Sequence, residues 1–554
     1  MRKLRGSRQA EIPLLWEAVS AALLVAGYCW LQLRSLLVPG VCGDEAYDGA
    51  QAQQIIRAGL RHIGAWPLFT AGYHGALQAY LLIPFFLLIK EPFVAIRTSE
   101  VVFSLIVIAA AYLCARRFFN PIAALFMLVL LLANPTFIYR SRLSISEAGI
   151  MAAFYLGALI FLQAWGRSGK NRHLYVAAFL AGAGFCLRLW FYWFYAGLLL
   201  AAFIFRAEVM RTLRRRPIAP QLGGAAAFFI LGLTLYILKE AAGRGTELFS
   251  YGLAHLHYGV RGADNFMILR NLGTRFHQFM AELYGHILGG FPSYPPGEAA
   301  LLNQGASIFY GTLLALSIFF LVALGRGAYR RKAIFFIALL LGMFLPSIFT
   351  LSNFVQDHLF ILFPIPQIIM GAAAYLLFER VMQRERLWKA ACLGLAFYAA
   401  APAFHLWEFS RIERFMRRTG GTWYYSDANV DMVHWLEKDG YFAPKNCDIR
   451  LDAAMHLLSN EKINAISCWQ PSYGAPNRQD AAAFFKRCTG GENIYLFLSP
   501  NPKHPNYSTF PYFSSLLNRT GEKFVVRKVF DAKNGEPAYT IYSLSKPDSI
   551  EKPL

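Results

Sequence analysis

Long apolar runs separated by short polar connectors form the main pattern along the chain. Several runs reach the ~18 to 25 residues that a helix needs to cross a bilayer. We therefore predict a polytopic α-helical membrane protein whose first run is a retained signal-anchor helix, since that run is too long for a signal-peptide core. The pattern predicts eleven spans, at 14–38, 97–115, 121–139, 148–166, 174–188, 190–206, 221–238, 306–325, 333–350, 359–379 and 390–407.

Composition and charge support a membrane protein and exclude a soluble enzyme. The chain is 56% hydrophobic and 16% charged, whereas soluble domains average about 25% charged residues. Its formal net charge of +21 is concentrated in connectors such as 206–216 and 326–332. Such an excess marks cytoplasmic loops, so the charge indicates orientation and no nucleic-acid partner is expected. We call the side opposite these connectors the outer side. An odd number of crossings places the C-terminus there.

Two outer connectors, 39–96 and 239–305, are much longer than the others. Long ordered loops in compact proteins are usually functional. The apolar stretch 75–89 in the first loop is too short to cross a bilayer, so we interpret it as a helix lying in the outer leaflet. The stretch 266–288 in the second loop is amphipathic, and two interpretations stay open: a helix on the membrane surface or one that covers the bundle.

The composition changes after about residue 408, where charged residues return. This change predicts a transmembrane domain over 1–408 and an outer α/β domain over 409–554. We expect a helix over 427–438 capped by Asp427, and four strands at 447–451, 494–498, 524–530 and 538–544. An oxidising compartment permits a disulfide, but the sequence does not choose the pair among Cys42, Cys447, Cys468 and Cys488.

The first outer loop opens with three carboxylates, on Asp44, Glu45 and Asp48. In a helix Asp44 and Asp48 share a face, whereas Glu45 points elsewhere. Charged residues near hydrocarbon are functional candidates by default. An ordinary acidic cluster at a helix start explains the same pattern equally well.

A second acidic position, Glu147, follows Ser141-Arg142 on the same side of the membrane. Two distant carboxylates at one membrane surface suit a reaction in which one removes a proton and the other organises the site. The alternative is a charge at a helix N-terminus that pairs with Arg142. No P-loop or dinucleotide fingerprint is present, and the cysteines form no metal-binding pattern.

Several short blocks resemble, in order, the N-terminal half of the bacterial GT-C glycosyltransferases. The likeness covers about residues 40–200 and is greatest to the protein O-mannosyltransferase and lipid A aminoarabinose transferase families. The blocks are Asp44-Glu45-Ala46-Tyr47, Tyr73-His74-Gly75-Ala76-Leu77, Ala95-Ile96-Arg97, Asn134-Pro135, Ser141-Arg142 and Glu147.

The resemblance implies roles for individual residues. Asp44 is the implied general base, with Glu45 beside it. Glu147 stands where the family usually has Asp after the Ser-Arg pair. Arg188 stands at the family's basic position at the outer end of the fifth and sixth spans.

Other positions are implied to bind the donor phosphate or to order the site. His74 is one, although the family commonly has Lys-Pro-Pro or His-Pro-Pro where this chain has His74-Gly75-Ala76. His358 replaces the family's late Arg-Tyr motif. Arg97 and Arg142 complete this set.

The implied reaction is inverting transfer of a sugar from a polyprenyl-phosphate donor to a protein, lipid or glycan acceptor at the outer face. A carboxylate base suits the attacking hydroxyl or amine, and cationic side chains suit the phosphate leaving group. The family likeness implies no cofactor and no required metal, while an assisting divalent cation stays open. It also implies a bacterial inner membrane whose periplasmic side holds the site, with an ER membrane as the alternative. A transporter or flippase of lipid-linked glycans and a non-catalytic assembly protein are the alternatives.

The aromatic run 190–195 follows Arg188. It is typical of a belt at the membrane interface. Contact with sugar or lipid is the alternative.

Overall fold

The computed structural model describes residues 13–59, 69–71, 74–143, 148–215, 217–239, 264–284, 298–350, 356–383, 388–421, 425–447, 451–468, 488, 493–499, 510, 514 and 523–545. Helices, most of them apolar, dominate the part before residue 420. They are α1 Leu14–Leu33, α2 Gly43–Ala58, α3 Leu77–Leu88, α4 Pro92–Phe118, α5 Pro121–Leu132, α6 Pro135–Arg140, α7 Ala148–Ser168, α8 Asn171–Phe185, α9 Tyr192–Ile204, α10 Arg206–Leu213, α11 Ile218–Gly232, α12 Thr234–Lys239, α13 Ile268–Tyr284, α14 Glu298–Leu324, α15 Gly327–Phe344, α16 Ile365–Met382 and α17 Trp388–Thr419.

A helix lies at each of the eleven predicted spans. Among the described residues, six helices are long and apolar enough to cross a membrane, or seven if the bent pair formed by α10 and the segment before it counts as one span. The prediction of a mainly helical integral membrane protein is confirmed. The number eleven stays a prediction, because several of the remaining helices are shorter than a bilayer crossing requires.

The predicted span 121–139 divides into two helices at Asn134. The Asn134 side chain accepts a hydrogen bond from the Phe137 backbone N–H at 3.1 Å. Pro135 occupies the first helical position, where the missing N–H of proline costs nothing. Both features start a new helix, so α6 begins separately after α5.

The short helix predicted over 75–89 is present as α3, twelve residues long. One face is buried through Gln78, Ala79 and Leu82. Leu87 and Leu88 at its end are 65% and 82% exposed. This apolar exposure suits contact with lipid, and the position of α3 in the outer leaflet stays a prediction.

Helix α13 occupies part of the predicted amphipathic stretch. Phe266, Leu269 and Phe276 are exposed, while the buried Arg275 donates hydrogen bonds to the carbonyls of Ser347 and Thr350 at 2.9 and 3.1 Å. The helix therefore packs against a 3-10 segment through its polar face and leaves apolar side chains outward. This arrangement keeps open both interpretations of the stretch.

Helix α17 carries the chain out of the bundle toward the C-terminal segment. It has 32 residues, so at 1.5 Å per residue it is roughly 48 Å long, well beyond the ~30 Å hydrocarbon core. Glu413 in its last part forms a two-point ion pair with Arg34 at the end of α1, at 3.1 and 2.7 Å. The domain boundary predicted at 408 falls inside this helix, and the division into two domains stays a prediction.

The described part of the C-terminal segment contains two helices and a mixed sheet. The helices are α18 Ala428–Lys438 and α19 Leu451–Leu458. The strands are β3 Lys445–Asn446, β4 Ile466–Ser467, β5 Tyr495–Leu498, β6 Lys523–Asp531 and β7 Pro537–Ser545, after a small hairpin of β1 Phe69–Ala71 and β2 His74–Gly75 in the first outer loop. The sheet order is β4-β3-β5-β7-β6. Strand β3 is parallel to β4 and β5, and β7 is antiparallel to β5 and β6.

The local predictions for this segment are confirmed except in two places. The strand predicted at 447–451 is wrong, since β3 ends at Asn446 and α19 begins at Leu451. Asp427 precedes α18 as predicted but makes no side-chain cap, because its carboxylate pairs with Lys533 at 2.6 Å. The structure joins Cys468 to Cys488, whose Cα atoms lie 5.7 Å apart.

Candidate active site

Residues of the C-terminal segment hold the turn between α1 and α2. The Gly40 N–H donates to the Tyr425 carbonyl at 2.8 Å, and the Asn429 side chain donates to the Val41 carbonyl at 2.6 Å. A Cβ at residue 40 would lie 2.5 Å from the Ser426 carbonyl oxygen, so this contact requires glycine. The start of α2, which carries the three first-loop carboxylates, is thereby fixed from outside the bundle.

Glu45 and Arg97 form a fully buried ion pair between α2 and α4. Both side chains have no exposed surface. One Arg97 nitrogen donates to Glu45 Oε2 at 3.0 Å, and Nε contacts Oε1. Burial raises the pKa of Glu45, and the Arg97 guanidinium opposes that rise. Arg97 also donates to the carbonyls of Pro39 and Gly40 at 3.0 and 3.3 Å, so it fixes the turn as well as the carboxylate.

Arg142 contacts the end of α1 and the same turn, where it donates to the Val38 carbonyl at 3.3 Å. Its side chain is 1% exposed, and it donates to the Leu31 carbonyl at 2.8 Å and to Gln32 Oε1 at 3.1 Å. Leu31 lies in the last turn of α1, where backbone carbonyls lack helical partners. The donors of Arg142 therefore close the end of α1.

Asp48 and Arg188 face each other within the same region. Arg188 Nη2 lies 3.6 Å from Asp48 Oδ2, and the two side chains are 2% and 1% exposed. The Arg188 guanidinium also lies 5.5 Å from the centre of the Trp190 ring. Asp48 follows residue 44 by one helical turn, so the structure brings Arg188 to the acidic face of α2 that the sequence predicts.

Strand β2 lies beside Arg188 through backbone contacts. The Gly75 N–H donates to the Leu187 carbonyl at 2.9 Å. A Cβ at residue 75 would lie 1.7 Å from the Cys186 carbonyl oxygen. The departure from the family's prolines thus has a structural reason, since proline has no N–H to donate. The backbone of His74 is held next to Arg188 in this way.

The aromatic run after Arg188 is packed inside the protein. Trp190, Phe191, Trp193 and Phe194 have no exposed surface, so the interpretation as a belt at the membrane interface is wrong for these four residues. The His358 ring lies edge-on to Trp190 with a centroid distance of 4.1 Å. His358 is thereby brought into the region of Arg188 and Asp48.

A further buried polar contact links α3 and α4. Gln78 Nε2 donates to Glu100 Oε1 at 3.1 Å, and both side chains are buried. This pair is not among the residues predicted from the sequence. The only feature of the sequence that could have indicated it is Glu100 itself, a carboxylate one helical turn after Arg97 in α4.

Three predicted site residues have no described side chain. The backbones of Asp44 and His74 lie in α2 and β2, whereas Glu147 lies outside the described residues. The structure thus pairs Glu45 with Arg97 and Asp48 with Arg188. His358 contacts Trp190, which follows Arg188. Arg142 binds the end of α1. Among described residues, no group of three or more His, Cys, Asp or Glu side chains is placed to hold a metal ion.

The chain is similar to known proteins in part of its sequence and in its fold. The family described as "Dolichyl-phosphate-mannose-protein mannosyltransferase" matches residues 73–237. The crystal structure of ArnT from Cupriavidus metallidurans bound to undecaprenyl phosphate is similar with a TM-score of 0.57 at 13% identity, over 96% of this chain and 99% of that one. Its apo state gives 0.58 at 13% identity, over 95% and 98%.

The resemblance to the GT-C glycosyltransferases is confirmed. At 13% identity the likeness to ArnT shows a shared fold along nearly the whole chain. The residues matched by the family include Arg97, Arg142 and Arg188. A comparison with curated protein sequences finds no significant match.

Proposed function

We propose that the protein is a glycosyltransferase that moves a sugar from a polyprenyl-phosphate donor to an acceptor at the outer face of a bacterial inner membrane. The observation that carries this proposal is the acidic helix α2, whose Asp48 lies 3.6 Å from Arg188. The GT-C fold supports it, and the similar ArnT structure holds undecaprenyl phosphate.

In this proposal Asp44 is the catalytic base. It takes the proton of the acceptor hydroxyl or amine as that group attacks the anomeric carbon. Attack from the side opposite the phosphate inverts the anomeric centre, and the bond from that carbon to the phosphate oxygen breaks with the electron pair passing to the phosphate. A positioned general base contributes roughly 10²- to 10⁴-fold to such a step.

Arg188 is the proposed ligand of the donor phosphate, with His74 and His358 beside it. A guanidinium forms strong charge-assisted hydrogen bonds to phosphate, and a buried cation stabilises the charge that develops on the leaving group. Asp48 orients Arg188 until the donor arrives. Glu147 keeps its predicted role as a second carboxylate that organises the site.

Glu45, Arg97 and Arg142 are positioning residues in this proposal. All three are fully buried. The Arg97 guanidinium binds a backbone carbonyl of the α1–α2 turn, and the Arg142 guanidinium binds one in the last turn of α1. Their combined effect is to fix the start of α2, and hence the proposed base, against α4. No cofactor or metal is assigned a step.

The test uses the purified chain in lipid with a panel of radiolabelled polyprenyl-phosphate sugars, with and without a chelator. We expect chelator-insensitive transfer from at least one donor, with inverted anomeric configuration in the product. Transbilayer movement of the donor lipid without any transfer would support the flippase alternative instead. Donor binding with neither transfer nor movement would favour an assembly protein.

A further inference from the structure

A cleft of about 190 Å³ lies between α2 and the C-terminal segment. Helix α2 contributes Tyr47, Gln51 and Gln54, which lie on one face at intervals of three and four residues. The opposite wall carries Asp452 and His456, one turn apart on α19, and Asn464 after it. The roles proposed above for the Asp48–Arg188 pair do not use this cleft.

Direct contacts hold the two walls in a fixed relation. Gln53 Nε2 donates to Asn460 Oδ1 at 3.1 Å, and Arg57 pairs with Glu461 at 2.8 Å. Gln54 and His456 approach to 3.4 Å at the base of the cleft. Most of the lining residues thus lie on α2 and α19, two helices that these contacts fix to each other. Such a rigid support positions side chains more precisely than a flexible loop would.

The chemistry of the lining suits sugar hydroxyl groups. The amides of Gln51, Gln54 and Asn464 each offer a donor and an acceptor, as a hydroxyl group does. The Tyr47 ring, 42% exposed, presents an apolar face beside them. Among described residues the lining contains the Asp452 carboxylate but no lysine or arginine, so it disfavours a phosphorylated ligand.

The cleft adjoins the acidic face of α2. Residue 44 precedes Tyr47 by three positions and Gln51 by seven, which places it on the same helical face. Burial raises the pKa of Tyr47, and the carboxylates of Asp452 and Asp48 raise it further. Asp48 follows Tyr47 directly in α2, and Asp452 lines the same cleft as Tyr47, so this tyrosine connects the cleft wall to the Asp48–Arg188 pair.

We propose that this cleft binds the acceptor, and that the acceptor is a neutral or amino-bearing glycan. The inference rests on the proposed function. A volume of about 190 Å³ is below the ~300 to 1,000 Å³ of sites for drug-sized ligands, so it fits one sugar ring while the rest of the glycan extends outward. The acceptor hydroxyl or amine then loses its proton to Asp44 as its oxygen or nitrogen bonds to the anomeric carbon and the phosphate leaves.

The first test measures binding to the full chain in nanodiscs, independent of transfer. The probes are a neutral N-acetylglucosamine disaccharide, its de-acetylated diamine, a phosphorylated disaccharide and a serine-containing peptide. We expect binding of the neutral or the amino probe, weakened about fivefold to tenfold by Gln51→Ala and by Asp452→Asn through loss of hydrogen bonds. Asp431→Asn, an exposed carboxylate on α18, is the matched control and should bind as the wild type does.

Other binding results would overturn the inference. They are preference for the phosphorylated probe or the peptide, absence of binding by any glycan, or equal affinity in wild type and both cleft variants.

The second test separates this inference from the proposed function. With an active donor, the cleft variants should raise the acceptor KM about tenfold and leave the donor KM unchanged. If the cleft variants transfer sugar with an unchanged acceptor KM, the cleft is not the acceptor site and the transferase proposal stays intact. Glycan binding that depends on Gln51 and Asp452 in a protein that transfers from no donor overturns the transferase and leaves the binding site.

Discussion

Arg97 and Glu45 form a two-point ion pair with no exposed surface between α4 and α2. Taking both charges out of water is costly, and removing one partner leaves the other buried without compensation. The same guanidinium binds the carbonyls of the α1–α2 turn. The pair therefore fixes the geometry of the acidic helix.

Breaking this pair should destabilise the protein. We expect Glu45→Gln to lower the free energy of unfolding by about 3 to 5 kcal/mol, measured by chemical denaturation in detergent micelles. Arg97→Gln should cost more, because the turn carbonyls lose their donor as well. Glu437→Gln is the control, since the Lys462–Glu437 pair is partly exposed on both sides and such surface pairs contribute about 0 to 1 kcal/mol. A stable but inactive Glu45→Gln protein would instead make Glu45 catalytic.

Arg188→Gln should weaken the donor and spare the acceptor. Loss of a charge-assisted hydrogen bond to the phosphate predicts a donor KM roughly 10- to 100-fold higher, and Arg188→Lys should restore part of the affinity because it keeps the charge. The measurement is two-substrate kinetics, with binding of undecaprenyl phosphate as a second readout. Because Asp48 loses its partner in Arg188→Gln, the double variant with Asp48→Asn separates instability from lost phosphate binding. Unchanged donor KM and phosphate binding in both would remove Arg188 from the site.

Gly75→Ala should destabilise the first outer loop. The added methyl group would lie 1.7 Å from the Cys186 carbonyl oxygen, so β2 must move away from the Arg188 segment. We expect a lower unfolding temperature and reduced transfer. Gly27→Ala in α1 is the control, because its Cβ would meet nothing within 4 Å and alanine favours the helix by about 1 kcal/mol. Equal unfolding temperatures for the two variants would contradict this packing.

The sequence predicts the helical framework well, because apolar length and basic connectors directly reflect the bilayer. It also predicts the common face of Asp44 and Asp48, which depends only on helical spacing. The partners Arg97 and Arg188 lie far along the chain, so spacing cannot reveal which carboxylate each one meets. That assignment required the packing of α2 against α4 and the segment after α8.

The predictions that were wrong or missing have local physical causes. An aromatic run such as 190–195 fits either a membrane interface or a packed interior, and composition does not distinguish the two. Strand β3 has two residues, too few for an alternating pattern to define. The cleft between α2 and α19 also escaped prediction, because its walls are separated by about four hundred residues and α19 has only eight.

The most direct test of the proposed mechanism is the kcat of Asp44→Asn at saturating donor and acceptor, beside wild type and Asp431→Asn. Asparagine keeps the shape of aspartate but cannot accept a proton at neutral pH. Loss of the general base predicts a kcat lower by about 10²- to 10⁴-fold, with undecaprenyl phosphate binding and unfolding temperature unchanged and with Asp431→Asn fully active. Full activity in a folded Asp44→Asn protein would contradict the account, because Asp44 would then not be the base.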